Sequence, residues 1–288
     1  VGQHPLSSRT LAQRLSGVVV PILGASTLAA AMWAFSPRAA TATVEQGTVA
    51  DESALPVLAK SELFVIRGDI ALHDAVEVLR WLGHVVDVFN AEAAQMGFTP
   101  AMPASPMTII FFAERADFVR FARDVDRIDA SAMGGYYATA PNHVVLYDDR
   151  SSPSFAFAIQ AGTAQQRHAA AKQAAIETRR KIAHEAAHLL AFNTGVQRVG
   201  VDYPAWFTEG LAERVASRAM GEEPRSDAGS PWRTFATFLF ATDAEERYAA
   251  AHSIFESLAS VRPDAPARFE SELRSRALDA FAASIESD

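Results

Sequence analysis

His184-Glu185-Ala186-Ala187-His188 lies within an apolar run from Ile182 to Phe192, and the role given to that run decides how the chain is organised. On a helix its two histidines are four residues apart, so His184 and His188 project from one face, one turn above the other. Two imidazoles so placed can share a metal ion. Glu185 is rotated from His184 by about 100° of helix, which sets its carboxylate beside the metal's open position, where a general base belongs, and outside the ligand set. The same residues can also be read as two core histidines satisfied by hydrogen bonds.

Composition narrows the choice. A chain of 288 residues, 49% hydrophobic and 21% charged, suits one sizeable globular domain with at most a small appendage. The net charge of -8 argues against a nucleic-acid partner, because phosphate binding needs a surplus of Lys and Arg on one face. With no cysteine, thiolate metal sites, catalytic thiols and disulfides are excluded, and a metal must rest on His and carboxylate.

Working outward, Ala164 to Phe192 carries a long helical pattern, alanine-rich at first and closed by Asn193-Thr194-Gly195 as a C-terminal stop. Before it, Glu62–Arg67, Met107–Phe112 and Asn142–Asp148 have strand composition, while Ile70–Ala94 and Ala116–Val125 have helical spacing. Gly134-Gly135-Tyr136-Tyr137 reads as a glycine-punctuated turn. After the motif strands cease. Helices are expected from Pro204 through Ala219 and at Trp232–Phe240, Glu245–Ser260 and Ala265–Ile285. The fold class is therefore α+β: a small N-terminal mixed sheet with helices, the motif helix, then an all-helical C-terminal part.

Residues 1–42 look like an address. Arg9 and Arg14 stand in an acid-free start, Gly17–Phe35 is uncharged and mostly apolar, and Ala40-Thr41-Ala42 offers an A-x-A cleavage site, the pattern of a secretory signal peptide. Export to the periplasm or the extracellular space is the expectation. An uncleaved membrane anchor through residues 17–35 is the alternative, since that stretch is about long enough to span a bilayer. Residues 43–59, with Gly47 and Pro56, read as a linker, and residues 60–288 as the domain.

A second segment completes the site. Pro204-Ala205-Trp206-Phe207-Thr208-Glu209-Gly210-Leu211-Ala212-Glu213 puts two carboxylates on one helical face, where like charges weaken a solvated helix by a few tenths of a kcal/mol. A metal ion held by Glu209, with Glu213 accepting the N–H of a ligating histidine, relieves that repulsion. Two surface glutamates beside Arg214 and Arg218 are the alternative.

Taken together, the two segments resemble the gluzincin metallopeptidases, specifically the bacterial peptidase-MA-like domains. The resemblance implies a zincin-like fold from about Lys60 to Ala259 and a zinc ion (Zn2+) bound by His184, His188 and Glu209. It also implies Glu185 as general base and Glu213 as the supporting acid. Three protein ligands leave a fourth position for water, as in catalytic zinc sites, so hydrolysis of peptide bonds in a peptide or protein substrate is expected. Tyr248 and His252 are the candidates to stabilise the oxyanion: they lie four apart on one helical segment and can face the cleft together, and Tyr248 sits where related domains tend to carry a tyrosine. His143 and His168 are expected to be ordinary polar or partly buried residues. Val144–Leu146, read as an edge strand, can pair with an extended peptide. Two other functions share these residues: a non-catalytic zincin-fold envelope protein that binds a partner, and a zinc hydrolase of a non-peptide amide.

Overall fold

Strand Met107–Phe112 (MTIIFF) falls where its β-branched and aromatic run demands it, and five of its six residues are buried. That is the signature of a central strand covered on both faces. In the computed structural model, which describes residues 54–222 and 244–286, it is β3. The elements before it are β1 (Val57–Lys60), β2 (Phe64–Gly68) and α1 (Leu72–Gln95). After it come α2 (Arg115–Phe121), β4 (Gly135–Ala138), β5 (His143–Tyr147), α3 (Pro153–Ala161), α4 (Ala164–Asn193), α5 (Ala205–Ala219), α6 (Ala244–Val261) and α7 (Ala265–Glu286).

The sheet order is β1-β2-β3-β5-β4. β2 and β5 run parallel to β3, while β1 and β4 are antiparallel to their neighbours, so the sheet is mixed and the α+β expectation holds. Alternate residues point to opposite faces. Ile66, Ile109, Phe111, Val144 and Leu146 pack with helices α1, α4 and α5, and Ile110, Phe112, Val145 and Tyr147 pack with Phe118 of α2 on the other side.

Four features differ from the sequence reading. First, β1 starts at Val57, inside the stretch read as linker. Second, Gly135–Ala138 is a strand and not only a turn, and it ends the described sheet. Third, β5 lies between β3 and β4, so Val144–Leu146 has both hydrogen-bonding sides occupied and cannot pair with a peptide; among the described residues the sheet ends on that side at β4. Fourth, α3 has no counterpart in the sequence reading, because none of its residues is buried and it therefore shows no core-facing period. The signal or anchor segment 1–42, most of the linker and the helix expected at Trp232–Phe240 lie outside the described residues. Among the described residues, no helix is long and apolar enough to cross a membrane.

Candidate metal centre

Helix α4 carries the motif. Thr163 caps its start, accepting from the Gln166 N–H while the Gln166 side chain accepts from the Thr163 N–H, a reciprocal arrangement that satisfies two otherwise orphaned donors. From Ile182 to Ala191 the helix is buried on nearly every side, as an apolar run without a polar stripe requires.

Clasps on both sides of the motif fix α4 against the β4–β5 hairpin. Upstream, the Lys181 ammonium donates to the carbonyls of Gly134 (3.0 Å) and Tyr147 (3.2 Å) and pairs with Asp149 at 3.0 Å. It also sits 3.7 Å from the centre of the Tyr147 ring. Burial lowers the Lys181 pKa, with Asp149 opposing. Downstream, the Asn142 and Asn193 amides bond each other at 2.9 and 2.8 Å, and Tyr137 donates its hydroxyl to Asn142 at 2.9 Å. Between these clasps β4 passes directly over Glu185: a Cβ built on Gly135 would lie 3.2 Å from Glu185 Cγ and 2.6 Å from Leu146 Cδ2. Only glycine lets the strand come so near.

Helix α5 brings the second segment across. Phe207 and Leu211 enter the core, and Gly210 lets α6 close in, since a Cβ there would stand 2.5 Å from Phe255 Cβ and 2.6 Å from the Ala251 carbonyl oxygen. Glu209 and Glu213 then face α4.

The three expected ligands meet. His184 Nε2 is 3.1 Å from Glu209 Oε2 and 3.2 Å from His188 Nε2, and His188 Nε2 is 3.5 Å from the same Glu209 oxygen. Ligands about 2.0–2.1 Å from a tetrahedral zinc are separated by edges of about 3.3 Å. The three distances are those of one face of such a tetrahedron, leaving one vertex open. Two imidazole nitrogens and a carboxylate oxygen, all on borderline or hard donors, are also the donor chemistry zinc takes. The residues fit the metal. His184, His188 and Glu209 are the cluster of this kind found among the described residues.

Supporting groups surround this triangle. Glu213 Oε1 lies 2.9 Å from His184 Nδ1, at ion-pair distance though not aligned as a hydrogen bond. Arg180 backs Glu213 at 3.7 Å and pairs closely with Glu222; neither contact is visible in the sequence. Arg214 and Arg218 turn instead to Glu92 and Glu256, so the surface-glutamate alternative does not describe Glu209 and Glu213.

Charge follows the geometry. Burial opposes a proton on His184, but Glu209 and Glu213 outweigh it and raise the imidazole well above the ordinary histidine value. Burial likewise opposes ionisation of Glu209, yet His188 and His184 hold its carboxyl far below the usual range. Burial pushes Glu185 up, and the two histidines only partly counter it. A carboxyl so raised is better matched to proton transfer near neutrality.

The expected pair on α6 separates. The Tyr248 ring meets His184 edge-on at 5.4 Å and is 41% exposed. His252 is buried and pairs with Glu256 at 3.4 Å. His143 is a buried partner of Asp126 at 2.9 Å on the far face of the sheet, and His168 is exposed.

Residues 178–230 match the family described as Protein of unknown function (DUF1570). That stretch contains both His184–His188 and Glu209–Glu213. No curated protein matches the chain.

Proposed function

We propose that this chain is a zinc-dependent metallopeptidase of the gluzincin type, related to the peptidase-MA-like domains with which the matched family is associated. The observation that carries the reading is the triangle of His184, His188 and Glu209 with Glu185 held beside it under β4. A zinc ion held by the triangle supplies Lewis acidity, polarising a substrate carbonyl and lowering the pKa of water beside it.

The chain's own residues supply the rest. Glu185, with its raised pKa, takes the proton of the attacking water and returns it to the leaving nitrogen. Tyr248 keeps its phenolic proton, because burial and the charges of Glu209, Glu185 and Glu213 raise its pKa, and it can donate to the developing oxyanion. Glu213 holds the His184 ring. Among the described residues β4 ends the sheet, and an extended peptide can add there as a further strand. Export, through the signal-like residues 1–42 or an anchor at 17–35, belongs to the same proposal.

The test is cleavage of a peptide library by the zinc-loaded chain and by Glu185→Gln. The reading expects cleavage by the wild type and none by the variant, with zinc still bound in both. Equal turnover would remove Glu185 from its role. Zinc binding without cleavage of any peptide by the wild type would favour a non-catalytic protein or a hydrolase of a non-peptide amide.

A further inference from the structure

The first ten residues of α4 and the whole of α3 form a helical hairpin that contributes no residue to either hydrophobic cluster of the core. α3 (PSFAFAIQA) buries none of its residues, Phe157 at its middle is 77% exposed, and Phe155 and Ile159 are only half-buried. The bend is built, not loose: a Cβ on Gly162 would lie 2.5 Å from the Ala158 carbonyl oxygen. The Thr163 cap starts α4 at once, and Arg167 donates to the Gly162 carbonyl at 2.9 Å. An uncharged, apolar surface is thus held out at the end of a firm support.

Its charge is opposite to that of the protein. Ser151 to Ile176 contains no Asp or Glu, although 34 acids in 288 residues would place about three there. It carries Arg167, His168 and Lys172 instead, all exposed, and among the described residues neither Arg167 nor Lys172 is paired with an acid. An exposed Phe on the short α3 with cations on the adjoining turns of α4 is a combination that suits a membrane interface: the ring enters the headgroup boundary and the cations meet anionic lipid. At about 1.5 Å per residue the nine residues of α3 reach about 14 Å, too short to span and suited to lying flat.

We propose that this hairpin docks the domain on membranes bearing anionic lipids, through Phe157, Arg167 and Lys172. His184 lies twenty residues beyond the start of α4 and twelve beyond Lys172, so the docked hairpin holds the metal centre about 18 Å along the helix from the nearest contact residue. The inference needs neither zinc nor activity.

The absence of native cysteine allows a local test on the full chain, unaffected by any lipid binding of residues 17–35. An environment-sensitive fluorophore on Ala161→Cys, one turn beyond Phe157, is mixed with vesicles of phosphatidylcholine and phosphatidylglycerol in equal parts. The expected result is a blue shift that is absent with pure phosphatidylcholine, weakened by high salt, and lost when Phe157→Asp or the pair Arg167→Glu and Lys172→Glu is added. The same label on Met102→Cys, an exposed site on the loop before β3, should not shift. No shift at position 161, an equal shift at 102, or a label already blue-shifted without vesicles, which marks a protein occupant, would each overturn the proposal.

Discussion

His184 Nδ1 lies 2.9 Å from Glu213 Oε1, while its other ring nitrogen, Nε2, faces Glu209 and His188. One imidazole is therefore gripped between the candidate metal position and a carboxylate one helical turn beyond the third ligand. Groups in that outer position set the tautomer and angle of a ligating ring, and their loss typically costs about 10–100-fold in metal affinity. Glu213→Gln should weaken zinc binding by that factor, read by competition with a chelator, without abolishing it. An unchanged affinity would leave Glu213 no part in the site.

Gly135 brings the sheet edge close to Glu185: a Cβ built there would lie 3.2 Å from Glu185 Cγ. Gly135→Ala forces Leu146 and Glu185 apart, and overpacking of this kind typically costs about 1–3 kcal/mol. Denaturant unfolding should show that loss, and peptide cleavage should fall further than zinc content does. A variant as stable and active as the wild type would contradict the tight contact of β4 with Glu185 and Leu146.

Tyr248→Phe keeps the ring against His184 and removes only the hydroxyl. The expected outcome is a lower kcat with unchanged zinc content and little change in KM, the pattern of an interaction made in the transition state. An undiminished kcat would exclude the phenol as the oxyanion donor.

Arg214 stands between Glu92 (2.6 Å), which is buried with it, and the half-buried Glu256 (2.5 Å), and joins α5 to α1 and α6. Breaking a buried pair by removing one partner costs about 3–5 kcal/mol, so Arg214→Ala should destabilise by that much in chemical denaturation; a loss under about 1 kcal/mol would contradict the network. Burial opposes the charge of Glu256, but His252 and Arg214 prevail and hold its carboxyl below the usual range. The stability this contributes is full above the unfolded-state value near about 4.3 and is lost as pH falls through the lower folded value. Glu256→Gln should flatten that part of the acid unfolding profile.

The helices around the centre were legible because their spacing and stops are local: the Asn193-Thr194-Gly195 end of α4 and the Pro204 start of α5 fall within a residue of the expected bounds. That His184 and His188 share one face was legible for the same reason, since i to i+4 spacing fixes a face wherever a helix forms. What escaped depends on neighbours distant in sequence. Gly135–Ala138 is short and begins with glycine, so nothing in it marks a strand until β5 pairs with it. α3 shows no period because it buries nothing. Tyr248 and His252 share a helical face, and only the positions of His184 and Glu256 decide that the first meets an imidazole and the second a carboxylate. Lys181 and Asn193 look like ordinary helix residues until the hairpin carbonyls and Asn142 come into reach.

The account rests on His184, His188 and Glu209 acting as one ligand set, and the metal content of the purified chain tests this most directly. Elemental analysis after exposure to zinc and removal of excess should give one equivalent in the wild type and none in His188→Ala or Glu209→Ala, with both variants still folded by circular dichroism. A wild-type chain that holds no stoichiometric zinc, or variants that retain it, would contradict the metal centre and the hydrolase built upon it.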